Sequence, residues 1–341
     1  MRFGMATFFL FLGWPGWAQT QRNIRFSNDK QVLAGTLTLP LGTGLHPAVI
    51  IVLGSGATNR DGEVEGLKPF QTMATQLAKK GFVVLRYDNR SRGESPGKAI
   101  QESTTTELAA DAQAAYRFLK GQNQVNSQRI GLIGHSEGAT IAAIAAAKIP
   151  QISGLLALNG PALAGYEDIL LATEQRLRQA GTSADSIQSY LANMRLYLGR
   201  PVSTPLQRRK AAARSLVRFE MSRLPADQRA KLTKSDLESA VNSQMHQVLT
   251  RWQQQYLSLN PAVVYQTLSC PVGLIFSESE LEGPLSKRLA VFRAALKVSR
   301  QAHPIRLIKQ VDHNLITTGH GTPVVSSAFV NAVVEEASKL I

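Results

Sequence analysis

The chain has 341 residues, 44% hydrophobic and 18% charged, enough apolar material for a large core and unlike a disordered chain. Its formal charge is +14, yet aromatics are only 6% and no nucleic-acid-binding motif is present, which argues against a nucleic-acid partner. The single cysteine, Cys270, excludes an intramolecular disulfide and a cysteine metal cluster. Set before Pro271 at the head of an apolar run, it reads as a small buried hydrophobe.

Residues 1–18 read differently from the rest. Met1-Arg2 carries one positive charge, the apolar run "FGMATFFLFLG" follows, and Gly16 and Ala18 stand where a signal peptidase reads small side chains. The run is too short to span a bilayer. We therefore expect a secretory signal cleaved after Ala18, and an exported protein, periplasmic or secreted. Loss of Arg2 changes +14 to +13. Such a charge suits a solvated cationic surface, with weak association with anionic envelope lipid or polymer as the alternative.

From residue 19 to 160 strands and helices alternate. "NIRFS" and "QVLAGTLTLP" alternate apolar and polar residues, as half-buried strands do. "PAVIIVLG" is a continuous β-branched run, expected of a strand buried on both faces of a parallel sheet. "PFQTMATQLAKKG" has helical spacing and a glycine stop, "FVVLRYD" is the next buried strand, and "TTTELAADAQAAYRFLKG" is a helix with threonine caps. Then come a strand ("RIGLIG"), a helix ("EGATIAAIAAAKI") and a strand ("ISGLLALNG"). This rhythm predicts an α/β fold, a mostly parallel sheet with helices on both faces.

Residues 161–267 lack strand runs and hold 14 Lys plus Arg against 8 Asp plus Glu, the reading of a helical insertion rather than a loop. Arg208, Arg209, Arg214 and Arg218 at helical spacing suit a solvated face, with contact to an acidic substrate as the alternative. From 268 to 341 the alternation resumes: "CPVGLIFS", "SKRLAVFRAALKV", "IRLIKQV", a loop, and a final helix "PVVSSAFVNAVVEEASKLI".

The chemistry centres on Gly134-His135-Ser136-Glu137-Gly138, a G-x-S-x-G between a buried strand and a helix. In that setting it is a nucleophile elbow: small residues on either side relieve a cramped serine backbone, and the helix N-terminus faces a developing oxyanion. A serine hydroxyl needs a base. Of the six histidines, His313 follows the last strand, where an imidazole reaches back over the sheet's carboxyl edge; the alternative, His320, beside Gly319 and Gly321, reads as a loop residue. The orienting acid belongs after "PVGLIFS", where Glu278, Glu280 and Glu282 all qualify by spacing. "LGSGATNRDGE", after the first buried strand, offers backbone N–H groups. Ser55 or Gly56, with the amide of Glu137, would form the oxyanion hole.

Taken together, "GSGATNRDGE", "LRYDNRSRGES", "TTTELAADAQAAYRFLK", "IGLIGHSEGA" and "CPVGLIF" resemble the α/β-hydrolase superfamily. The likeness is to exported dienelactone-hydrolase-like and serine-aminopeptidase-like esterases with a helical cap. It covers about Ile24 to Gly160 and Cys270 to Leu315 and implies an α/β-hydrolase fold. Nucleophile and base fall on Ser136 and His313, the latter after Asp312 where relatives have asparagine. The acid, usually aspartate, falls on Glu280 when Pro284 is matched to the loop proline, and Ser277 replaces a loop glycine. The oxyanion loop falls on Gly54-Ser55-Gly56. Arg86, Asp88, Arg90 and Gly93 would line or buttress the site, or serve as structural salt bridges. The implied activity is acyl transfer from a small-molecule ester to water through an acyl-enzyme, without metal or organic cofactor. A peptidase or amidase of the same fold is the first rival. A non-catalytic binder of envelope polymers on a hydrolase scaffold is the second.

Overall fold

The structure, a computed structural model, describes residues 20–278, 285–297, 304–319 and 321–341. The expected signal segment up to residue 18 lies outside them, as do Glu280, Glu282, Pro284, His303 and His320.

The first half runs β1 (Gln21–Asn28), β2 (Gln31–Thr38), β3 (His46–Leu53), α1 (Pro69–Lys79), β4 (Val83–Tyr87), α2 (Thr105–Lys120), β5 (Val125–His135), α3 (Glu137–Ala147) and β6 (Leu155–Leu158). Helices alone follow: α4 (Gly165–Gln179), α5 (Ala184–Tyr197), α6 (Leu206–Ser222), α7 (Ala226–Arg229), α8 (Lys234–Val248), α9 (Arg251–Ser258) and α10 (Pro261–Tyr265). The chain then returns through β7 (Val272–Ser277), α11 (Leu285–Leu296), β8 (Ile305–Ile308), β9 (Ile316–Gly319), β10 (Thr322–Val325) and α12 (Ser327–Leu340).

Eight strands form one sheet in the order β1-β2-β4-β3-β5-β6-β7-β8. Pairing is antiparallel from β1 through β2 to β4 and parallel beyond. The run "AVIIVL" in β3 is wholly buried. Its alternate residues serve opposite faces. Ala48, Ile50 and Val52 join a core with residues of α2, α3 and α11, while Val49, Ile51 and Leu53 join one with residues of α1 and α12. That is why the strand has no polar face. Helix α2 starts as its threonines predict: Thr104 caps it and Glu107 closes a reciprocal capping box. Cys270 is buried, and burial pushes its thiol up to about 11, consistent with a packing role.

One expectation needs correcting. The stretch after β8 is not all loop, because Ile316–Gly319 and Thr322–Val325 pair as an antiparallel hairpin. The last helix therefore begins at Ser327 and not at Pro323, with Ser326 as the cap accepting the Phe329 N–H at 3.2 Å.

Candidate active site

Strand β3 lies beside β5, with Leu53 opposite His135, so the loop after one and the turn after the other share a sheet edge. Ser136 occupies that turn with φ 56 and ψ −131, a backbone region that costs a non-glycine residue about 1–3 kcal/mol. Its N–H donates to the Leu158 carbonyl at 2.9 Å and its own carbonyl accepts from Ala139. The flanking glycines are required sterically. A Cβ at Gly134 would collide with the backbone of Gly138 and Ala139, and one at Gly138 with the Val52 carbonyl oxygen. Helix α3 is thereby pressed onto β3 and β5, with Ser136 at its N-terminal end.

Ser136 opens into a cavity of about 500 Å³. Its floor includes the Gly54–Thr58 stretch after β3, the elbow residues 135–137, and Asn159 after β6. His313 and Asn314 form part of one wall. The helical insertion supplies Asp168 and Ile169 from α4, and Trp252, Gln253 and Tyr256 from α9. Ser136 and His313 therefore border one space, as the sequence suggested.

What holds His313 there was not foreseen. Its backbone carbonyl accepts the Nε2–H of His135 at 2.8 Å and the Nδ2–H of Asn159 at 3.2 Å. The Asn159 Oδ1 in turn accepts the N–H of Ser277 at 2.8 Å, so one amide ties the end of β7 to the histidine loop. The His135 ring packs 5.0 Å from the His313 ring and 5.1 Å from Phe70. Burial, and then the charge of His313, lower His135 to about 3, so its ring stays neutral and donates from Nε2.

The acid side is less complete. Glu278 is exposed at the end of β7, donating its N–H to the Ile308 carbonyl, and is not among the cavity residues. Glu280 and Glu282 lie outside the described residues.

The oxyanion loop departs from expectation at Ser55. Its N–H donates to Glu137 Oε2 at 3.0 Å and its hydroxyl to the same oxygen at 2.6 Å. An amide engaged by a carboxylate cannot also serve an oxyanion. In this structure the Ser55 amide is therefore engaged by Glu137, whereas Gly56 borders the cavity and the amide of Glu137 stands at the first helical position, which has no intrahelical acceptor.

The loop after β4 is a structural knot. Asp88 accepts from the Arg60 N–H at 2.5 Å and from its guanidinium at 2.6 and 3.1 Å, and Glu94 also pairs with Arg60. Arg86 pairs with Asp61, and Arg90 grips Asp111 at 2.6 and 2.8 Å. Gly93, at φ 49, leaves room for the Asp88 carboxylate. None of Arg86, Asp88, Arg90 and Gly93 borders the cavity.

The insertion's arginines do not reach the cavity either. Arg214 pairs with Glu238, Arg209 donates to the Tyr197 carbonyl, and Arg208 and Arg218 are exposed. The arginine in the cavity wall is Arg288 of α11, held by Asp168 of α4 at 3.0 and 3.1 Å with both side chains buried. Sequence spacing gave no hint of that pair, whose members stand 120 residues apart.

A mostly parallel sheet, a serine elbow between strand and helix, and a cavity above the carboxyl edge define an α/β hydrolase. Solved structures agree on the fold. Esterase Pf2001 from Pyrococcus furiosus superposes with a TM-score of 0.57 at 15% identity, covering 95% of this chain and 91% of that one. The α/β hydrolase GrgF from Penicillium gives 0.56 at 18%, covering 94% and 97%. The chain belongs to the serine aminopeptidase S33 family (Hydrolase_4), whose sequence model matches residues 61–242. Among curated proteins, esterase EstD of Thermotoga maritima is 37% identical over 112 residues, 32% of this chain and 26% of that protein. An uncharacterized Mycobacterium tuberculosis protein, Rv2307c, is 30% identical over 167 residues, 42% of this chain and 54% of its own. The matches thus span about a quarter to a half of these relatives.

Proposed function

We propose that the protein is an exported serine hydrolase that cleaves a small-molecule carboxylic ester. Ser136 attacks the carbonyl, His313 takes its proton and returns it to the leaving group, and Glu280 orients the imidazole. The amides of Gly56 and Glu137 receive the oxyanion, and water resolves the acyl-enzyme. One observation carries the reading: Ser136 adopts a strained positive-φ backbone at the head of α3, facing a cavity that His313 also borders. The esterase relatives support the choice of an ester.

Ser136→Ala should abolish hydrolysis of a short p-nitrophenyl ester while leaving the urea midpoint near that of the parent, and a fluorophosphonate probe should label Ser136. Undiminished turnover, or labelling of another serine, would reject the mechanism. A peptidase reading is favoured by the description of the matching family. Comparing ester with aminoacyl-amide turnover decides between the two.

A further inference from the structure

Glu137 entered the sequence reading only for its backbone N–H, yet its side chain is the better-connected half of the residue. The carboxylate is buried, with 7% of the residue exposed. Oε2 accepts the N–H and hydroxyl of Ser55, at 3.0 and 2.6 Å. Oε1 accepts the Thr105 hydroxyl at 2.8 Å and the Trp252 indole N–H at 2.9 Å. Four donors from three separate segments meet on one group: the oxyanion loop, the first residue of α2, and α9 of the insertion.

None of these donors is cationic. The buried charge is instead compensated by dipoles, and it sits at the N-terminal ends of both α2 and α3, where helix dipoles favour an anion. An apolar residue here would fill space, but only an acceptor with two free oxygens satisfies four donors.

We propose that the Glu137 carboxylate is a positioning residue, a latch that fixes the Gly54-Ser55-Gly56 loop relative to the elbow and docks the insertion on the same point through Trp252. The proposal rests on the hydrolase reading, because it concerns the spacing of that reading's two oxyanion donors. One belongs to Glu137 itself, and the other, Gly56, directly follows the residue its side chain holds. The seating of the insertion and the alignment of the oxyanion hole are thus coupled through one carboxylate. The coupling acts on the transition state, where the donors must meet a displaced oxygen, more than on ground-state binding.

The test uses the full chain carrying Trp14→Phe and Trp17→Phe, which leaves Trp252 as the remaining tryptophan of three. Glu137→Gln replaces one acceptor oxygen by an amide nitrogen that faces two donors. On a short p-nitrophenyl ester, kcat should fall about ten- to a hundred-fold while KM stays within about three-fold, on the scale of an impaired oxyanion donor. Trp252 emission should shift to the red and become more open to acrylamide quenching.

Should Glu137→Gln fail to fold, Thr105→Val removes one donor with little change of shape, outside the cavity wall. It should lower kcat about three- to ten-fold at unchanged KM, on the same scale. Parental kcat in either folded variant overturns the latch, as does unaltered Trp252 emission in Glu137→Gln. A parent chain without esterase turnover would instead count against the hydrolase reading, and Trp252 emission would still report whether the carboxylate docks the insertion.

Discussion

The sheet and the helical insertion treat the same chemistry in opposite ways. Arg60 and Asp88 lie under the sheet's edge with side chains 8% and 1% exposed, whereas Arg214 and Glu238 in the insertion form an equally short bidentate pair at 32% and 36% exposure. The sheet is flanked by two large apolar clusters, and the insertion is held by two smaller ones around Val241 and Leu216. Every residue from 222 to 236 is exposed. Charge in the first region is a framework under the loops that carry the site. In the second it mostly covers a surface, the buried Asp168 that holds Arg288 being the exception.

That contrast breaks most visibly at the buried knot. Asp88→Asn leaves a buried guanidinium without its full counter-charge and should cost about 3–5 kcal/mol in urea denaturation. A variant as stable as the parent would show that the knot carries no such energy. A smaller effect comes from acid. The buried His135 ring titrates lower in the folded chain than its ordinary 6.5, so the unfolded chain takes up the proton first. Stability should fall as pH drops from about 6.5 towards 3, by about 1.4 kcal/mol per unit from this group. In His135→Gln, whose side-chain amide can still donate to the His313 carbonyl, that part of the slope should vanish; an unchanged slope refutes the assignment. Arg214→Ala should do least, leaving the urea midpoint and ester turnover at parental values. A measurable loss would mean the insertion's surface pairs matter more than their exposure allows.

Much of the sheet could be read in advance because its signals are local. The apolar runs of β3 to β7, the threonine caps of α2 and the glycines around Ser136 each lie within a few residues of what they determine. The β9–β10 hairpin was missed because "ITTG" and "TPVV" are half polar, although Gly321 between them is a hairpin signal. The engagement of Ser55 by Glu137 could not be read, since the acceptor stands 82 residues away. The same holds for Asn159, 154 residues from the carbonyl it pins, and for Trp252, 115 residues from Glu137. Contacts at that separation leave no periodicity to detect. That His313 borders the same space as Ser136, by contrast, follows the expectation from chain order, which puts the base last in a strand–turn–helix serine site.

The two proposed proton partners also differ in how firmly each is seated. Ser136 joins a strand end with no exposed side chain to a helix buried at all but two of its eleven residues. His313 and its neighbours Asp312 and Asn314 bridge two buried residues, Val311 and Leu315, and lead into two short strands without a fully buried residue. Exposing the first to solvent takes most of the domain apart, while exposing the second frees only the short segment between Val311 and Leu315 from its two carbonyl hydrogen bonds. On warming, turnover would fade before the fold does, and cooling would bring it back without any refolding.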